Sequence, residues 1–276
     1  PNQRIPDACA ATCLFSLVLR PFGGYFWLKD AGLGRRSDAL CRAAMIQNDG
    51  GSLPPSVLSI DTATELCSVA LLKAGTVFER RALDPQGHSR LVLEMIEEVL
   101  AEGEIDSSEL DVVSYDAGPG SFTGIRIGAG VAQGLALGLQ KPLLGVSSLM
   151  ILAEGVNSEN SESRPVMAAI DARMKQVYWG ILAPSSDQVE GWRWIEEPTV
   201  SYPEKVSKSF FDSIGVGSGW DSYSRAPSRG LEVPWIAGRF PAATAQAVLA
   251  KRILSSGRIA NWQDSLPTYV RDTVVS

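Results

Sequence analysis

The run Asp116-Ala117-Gly118-Pro119-Gly120-Ser121-Phe122-Thr123-Gly124-Ile125-Arg126-Ile127-Gly128 is the part of this sequence best suited to chemistry. It follows an apolar stretch containing Val112, Val113 and Tyr115 and opens a segment of small residues. Gly118-Pro119-Gly120 demands a tight turn, because glycine tolerates positive φ and proline fixes its own. Ser121 suits a helix N-cap, its hydroxyl accepting a backbone N–H from the first turn. A glycine-rich passage from strand to helix can hold an anion, since N–H groups and the helix dipole converge there. No Gly-Lys-Ser/Thr follows, so the turn is not a P-loop, and its glycine spacing is not a dinucleotide fingerprint.

Two acidic turns are the other chemical features. Asp61-Thr62-Ala63-Thr64 lies between two strands, and Asp171-Ala172-Arg173 follows a third in the same manner. Actin-like and sugar-kinase-like ATPases place a metal-associated carboxylate at such a strand end, which makes Asp61, Thr64 and Asp171 candidate cofactor-binding residues. Ala63 stands where those proteins usually carry glycine, and its methyl restricts backbone approach to a phosphate. The other reading is that Asp61 caps its own turn, and both stand. The chain has one histidine, His88. Multi-histidine metal sites are therefore excluded, and a Ser-His-Asp triad would have to use that residue. Cys9, Cys13 and Cys41 cluster early, with Cys67 apart in a predicted strand. They form no disulfide framework, and a zinc site made from them lacks its fourth ligand. No metal site is expected.

The elements that must position these residues are legible from residue 57 onward. Residues 57–60 and 67–72 read as strands, and Lys73-Ala74-Gly75 turns into a third at 76–81. An amphipathic helix follows, with Leu91, Val92, Met95, Ile96, Val99 and Leu100 on one stripe and His88 at its half-buried or exposed start. A helix over 122–139 carries Gly124, Gly128, Gly130, Gly134 and Gly138. Each glycine costs about 1 kcal/mol of helix propensity, so five imply close approach of other backbone. Gly130, Gly134 and Gly138 share one face and Gly124 and Gly128 another, predicting one face packed inside the fold and one against a partner. Arg126 and Gln133 interrupt this helix and it is short, so no membrane span is expected. Strands at 165–170 and 176–182, a β region around Trp192 and Trp194, and a strand into Gly217 repeat the theme. A helix begins near Pro241 with Ala245, Val248, Leu249, Ile253 and Leu254 on one side and ends at Gly257. The similar turns at Asp61 and Asp171 suggest two related subdomains.

The 276-residue length allows two modest domains, and the formal net charge of −6 argues against a chain that grips nucleic acid unaided. Residues 1–44 begin at Pro1, with Met45 the first methionine. The apolar stretch 8–19 is too short to span a bilayer. The expected organisation is an extension and linker over 1–52 outside the fold, a first subdomain over 53–151, and a second over 152–276 whose last helix packs back on the first. Cysteine usage points to a reducing, cytoplasmic setting.

Residues 57–276 resemble the TsaB (YeaZ) family. The matching segments are Leu58-Ser59-Ile60-Asp61-Thr62-Ala63-Thr64, His88-Ser89, the run from Gly118 to Gly128, and Gln133-Gly134-Leu135-Ala136. Gly145-Val146-Ser147-Ser148-Leu149, Ala169-Ile170-Asp171-Ala172-Arg173-Met174 and Pro267-Thr268-Tyr269-Val270-Arg271 follow in the family's order. The resemblance implies an α/β, actin-like ATPase (ASKHA, ribonuclease H-like) fold, its two subdomains each a mixed β-sheet flanked by helices. It implies a non-catalytic scaffold in making threonylcarbamoyladenosine beside the anticodon of tRNA. The implied partners are a TsaD-like transferase, a TsaE-like ATPase, and a second copy when alone. tRNA would be met only through the complex, and no membrane is involved. No catalytic residue and no cofactor of its own is expected, with ATP acting at the level of the complex. The family's partner face implies His88, Leu91, Val92, Met95, Ile96, Val99, Phe122, Ile125, Arg126 and Gly128 as interface residues. The transferase's paired-histidine motif is not matched, because the corresponding helix offers only His88. The alternative reading is an ATP-binding phosphotransferase or ATPase of the same superfamily; a peptidase reading ranks below it, His88 lying outside any nucleophile motif.

Overall fold

Two short aliphatic runs, each ending at an aspartate, form the centres of two sheets. The computed structural model describes residues 54–157, 163–206, 212–223, 233–257, 266–268 and 270. The expected extension over 1–52, and Tyr269 and Arg271 of the last family motif, lie outside the described residues. Strand β1 (Val57–Asp61) is buried along its whole length, as an unbroken apolar run at a sheet centre requires. It pairs antiparallel with β2 (Leu66–Lys73), which pairs antiparallel with β3 (Thr76–Leu83). After helix α1 (His88–Glu102), β4 (Val112–Gly118) joins the other side of β1 in parallel. Helix α2 (Phe122–Leu139) leads to β5 (Leu143–Ser147), parallel to β4, and the order is β3-β2-β1-β4-β5.

The second sheet repeats this plan. Helix α3 (Ser148–Gly155) precedes β6 (Val166–Asp171), β7 (Val177–Pro184) and β8 (Trp192–Ser201), with both neighbouring pairs antiparallel. Strand β9 (Ile214–Val216) lies parallel to β6 and β10 (Trp235–Ile236) parallel to β9, with the short helix α4 (Ser218–Tyr223) between them. Read from its far edge the order is β8-β7-β6-β9-β10, the first sheet's order and strand directions again. Both halves therefore have the mixed-sheet, helix-flanked architecture of the actin-like and ribonuclease H-like folds. The helix α3 crosses the expected boundary at 151/152, and its Leu149, Ile151 and Leu152 belong to the second core.

Helix α5 (Ala243–Ser255) comes from the second half of the sequence yet packs on the first sheet. Its Ala247, Ala250 and Leu254 close a core with Val57, Leu72, Val112 and Leu144. Its Ala245 and Leu249 join the second core beside α3. Burial thus reaches most sides of α5, more than the expected stripe. Gln246 within it is fully buried, donating from Nε2 to Ser114 Oγ at 2.9 Å, and Ser114 Oγ hydrogen-bonds Ser59 Oγ at 2.7 Å.

The close approach in the first subdomain is between turns. Thr62 Oγ1 donates to the Gly124 carbonyl at 2.7 Å, and Ser121 N–H donates to the Ala63 carbonyl at 2.7 Å. A Cβ on Gly124 would strike the Thr62 carbonyl, and one on Gly120 the Ala63 carbonyl. The second subdomain repeats the device, because a Cβ on Gly217 would strike the Ala169 carbonyl. Gly118 (φ +98°) and Gly217 (φ +105°) both turn the chain through the left-handed region just there. By contrast, Cβ atoms on Gly130, Gly134 and Gly138 would meet open space.

Two substitutions in one helix should therefore move stability in opposite directions. Gly124→Ala must displace backbone, and urea unfolding should show a loss of about 2 kcal/mol. Gly134→Ala adds helix propensity at an unobstructed site, and the same titration should show a gain of about 0.5–1 kcal/mol. Equal effects would mean the two glycine faces do not differ.

Candidate functional site

The strand ends bring two carboxylates together beneath the turns. Asp61 ends β1 and Asp116 lies on the neighbouring parallel strand, one step beyond the pair Ile60–Tyr115. Asp61 Oδ1 accepts the Ala63 N–H at 3.1 Å. Asp116 Oδ1 accepts the Gly118 N–H at 2.8 Å and the Ser148 hydroxyl at 2.5 Å. The Oδ2 atom of each is buried and meets no donor from another group. Burial, and then the charge of Asp116, raise Asp61 well above the usual carboxylate range. Burial also pushes Asp116 up to about 7, against the pull of its Ser148 and Gly118 donors. A proton between the two carboxyls satisfies both orphan oxygens and removes the repulsion of two adjacent anions.

Asp61 is fully buried and does not line the cleft above it, whereas Thr64 and Asp171 do. A metal-bearing carboxylate of an ATPase must be within reach of the ion and the phosphates. The structure thus favours the turn-capping reading of Asp61 over the cofactor reading. Among the described residues, no group of three or more His, Cys, Asp and Glu side chains could hold a metal ion.

The cleft itself, about 600 Å³, lies between the two subdomains. The Asp61 and Asp171 turns form facing lips, bridged by Arg173 Nη2 to Glu65 Oε1 at 3.1 Å. Asp171 Oδ1 accepts its own turn's Arg173 N–H at 2.9 Å. Arg173, Met174 and Lys175 all have φ between +52° and +61°. Three successive non-glycine residues in the left-handed region cost about 1–2 kcal/mol each, and the run holds Met174 60% exposed at the lip. The first turn of α2 forms another wall, with Arg126 stacked over the Phe122 ring at 3.6 Å to its centroid. His88, expected at the surface or half-buried, is 4% exposed and faces this cleft, with its Nε2 unpartnered. A nearby thiol is inert: burial, with the charge of Asp61 and then Asp84, pushes Cys67 up to about 11, away from nucleophilic use.

A second feature is the outer face of α2. By length and composition this helix could cross a bilayer, but its Gly124 and Gly128 pack on the Thr62 turn and its Ala129, Ala132 and Ala136 on the first core. Only 33% of it is buried inside the chain. Arg126, Gly130, Gly134 and Leu137 form an exposed stripe, Leu137 at 63%, with Phe122 (51%) at its start. Leu93 on α1 is exposed at 54%.

The expected interface set divides accordingly. Phe122 and Arg126 are exposed and Leu91 is partly so. Val92, Met95, Ile96 and Val99 belong to the core with Leu58, Ile60 and Tyr115, and Ile125 is buried too. Gly128 abuts the Thr62 side chain, and His88 faces the cleft. These seven are corrected from outer face to interior, because the apolar stripe of α1 is the one the sheet requires. Leu93, among the glutamates of α1, carried no periodic signal. Leu137 stood in a helix apolar on most sides, where periodicity does not choose a face.

Comparison with known proteins follows the same lines. A family model described as "TsaD: tRNA N6-adenosine threonylcarbamoyltransferase" matches residues 83–192. A tRNA threonylcarbamoyladenosine biosynthesis protein TsaB from Escherichia coli is 37% identical over 226 residues, covering 79% of this chain and 95% of that protein. The TsaB of Haemophilus influenzae is 37% identical over 183 residues, 64% of this chain and 77% of that protein. Among solved structures, YeaZ from Pseudomonas aeruginosa superposes with a TM-score of 0.70 at 36% identity, covering 78% of this chain and 99% of that one. A second, described as similar to "peptidase YEAZ" from the same organism, gives 0.71 at 36%, covering 79% and 100%.

The buried acid pair makes stability depend on pH with a definite sign. The folded chain holds a proton that the unfolded chain releases near the ordinary aspartate value of 3.8, so folding takes up a proton above that pH. This contribution is fully present below the unfolded value and is lost as pH rises, by up to about 1.4 kcal/mol per unit. It levels off only once pH has passed both raised values, that of Asp116 lying at about 7. Urea titrations of the wild type and Asp116→Asn across pH 4.5–8 should show a shallower fall in the variant; parallel curves would mean no proton is shared.

Proposed function

The chain belongs to the TsaB (YeaZ) family, and from that premise we propose that it serves tRNA threonylcarbamoyladenosine biosynthesis as a non-catalytic partner subunit of a TsaD-like transferase. The observation that carries this reading is the outer face of α2. Three outward glycines, Gly130, Gly134 and Gly138, with exposed Leu137 and Phe122, cost helix propensity on a face that no other described residue covers. Glycines at spacing four let another helix approach closely, with ridges entering the shallow groove they leave. The exposed positions suit a central apolar contact, with Arg126 stacked on Phe122 at one end. The same face would serve a second copy of the chain when the transferase is absent, and a TsaE-like ATPase would join the assembled pair. ATP then belongs to the complex, and tRNA is reached through it.

The placement of the described reactive side chains is consistent with the subunit role. Among the described residues, Asp61 and Asp116 are buried below the turns and the Cys67 thiol is buried with a raised pKa. The ATPase alternative keeps Thr64 and Asp171 on the cleft, but its first strand-end carboxylate, Asp61, is buried away from it, which argues against that reading.

Light scattering of the chain, alone and with its cognate TsaD-like protein, tests this. A two-copy species giving way to a mixed pair supports the proposal; a single-copy species indifferent to the transferase overturns it. Leu137→Glu, at an exposed site, should leave unfolding within about 0.5 kcal/mol of wild type. It should weaken the mixed pair at least tenfold and lower tRNA modification in the reconstituted system. Gly134→Ala should stabilise the chain alone and weaken the pair.

A further inference from the structure

Helix α5 is fastened at both ends, and to different subdomains. At its start the Ala243 N–H donates to Ser68 Oγ of β2 at 2.9 Å, and Gln246 Nε2 donates to Ser114 Oγ of β4. All four residues are buried, so this end belongs to the first sheet. The last turn belongs to the second subdomain. Arg252 Nη1 and Nη2 donate to Glu154 Oε2 and Oε1 of α3 at 2.8 and 2.9 Å, a two-pronged pair. The Trp192 indole N–H donates to the same Oε2 at 2.8 Å, and Arg252 Nη1 also donates to the Glu190 carbonyl at 3.0 Å. Gly191 (φ +80°) leaves room there, since a Cβ on it would come within 3.1 Å of Arg252 Nη1. One guanidinium thus gathers α3 and the β7–β8 hairpin onto the end of α5.

For adhesion alone this cluster is a poor choice. The Glu154 side chain is 7% exposed, and burying a carboxylate so deeply costs desolvation that its partners do little more than offset. Apolar residues of similar volume would hold the helices together as well. They would not hold them in one register. Helices α3 and α5 also share the second core through Leu149, Leu152, Ala245 and Leu249, and a Cβ on Gly155 would lie 3.9 Å from that of Ala245. Apolar burial is non-directional, and helices packed on such faces can slide past one another. A planar fork on a carboxylate cannot slide without breaking both of its bonds.

We propose that the Arg252–Glu154–Trp192 cluster is a registry lock that fixes, through α5, the angle between the two subdomains. With the lock cut, α5 stays on the first sheet by its serine contacts and the second subdomain rocks against it. Across the cleft, the Arg173–Glu65 pair has its arginine side chain 74% exposed, and pairs so exposed hold weakly. A partner reaching from α2 to the second subdomain would meet a surface set before contact, without the cost of ordering it. That consequence rests on the reading above, whereas the angle is a property of the chain alone.

Pulsed electron–electron double resonance reads the angle in the full chain. p-Acetylphenylalanine in place of Thr76 on β3 and Glu197 on β8, both exposed, carries the nitroxides and leaves the cysteines untouched. Dilution into unlabelled chain leaves only the distance within one molecule. The wild type should give one narrow distribution. Arg252→Met/Glu154→Leu removes the pair without stranding a charge and should broaden that distribution at least twofold. Arg252→Lys keeps the charge but not the fork, so it should broaden the distribution partway, and it decides the matter if the double variant does not fold. Glu65→Gln, which cuts the cleft pair, should leave the width unchanged. A broad wild-type distribution, an unchanged width in the folded lock variants, or equal broadening by Glu65→Gln would each overturn the proposal, whether or not the chain binds a transferase.

Discussion

The first subdomain depends on one backbone-to-backbone contact, that of the Thr62 and Ala63 carbonyls with the glycine face of the turn and helix that follow β4. Ser121 N–H bonds one carbonyl, and the Cα atoms of Gly120 and Gly124 sit against the pair of them, where no side chain could. This contact fixes the start and roll of α2. Its alanines are thereby directed to the first core and its remaining glycines and Leu137 away from it. The same contact lays the turns over Asp61 and Asp116, so those carboxylates are desolvated and their pKa values rise. One constraint thus produces the sealed acid pair, the cleft wall and the uncovered helix face.

The two halves apply that constraint unequally. In the second, Gly217 and Gly219 lie against Ala169 as Gly120 and Gly124 lie against Ala63 and Thr62. The helix that follows is only six residues long there, against eighteen for α2, and it presents no long outer face. Strand order and directions are kept, but the surface available to another molecule is not. The repeat shares a scaffold and gives the long exposed helix face to one copy.

Much of this was legible before the structure. Strand β1 and strand β6 are short β-branched or aliphatic runs that end at acidic turns, and no other element type suits them. The two glycine faces of α2 followed from spacing, as did the requirement that one be packed. Which face was packed did not follow, because a helix apolar on most sides has no preferred inward direction until the Thr62 turn is placed against it. The stripe of α1 identified residues that share a face, but spacing alone cannot distinguish a face for the sheet from one for a partner. Val92, Met95, Ile96 and Val99 went to the sheet. Burial of His88 was equally hidden, since a lone histidine at a helix start carries no periodic signal for the interior. The acid pair required the parallel register of β1 and β4, a pairing between segments with a helix between them.

Helix α5 carries a consequence for how the chain is made. It is encoded after every strand of both sheets, yet its Ala247, Ala250 and Leu254 seal one face of the sheet that is synthesised first. Val57, Leu72, Val112 and Leu144 therefore leave the ribosome without their cover, and even Leu144 waits for about a hundred residues before it arrives. N-terminal units usually fold as they emerge. Here the earlier half stays an open, sticky sheet until nearly the whole chain is out, so vectorial folding cannot finish it and a chaperone has a defined surface to guard.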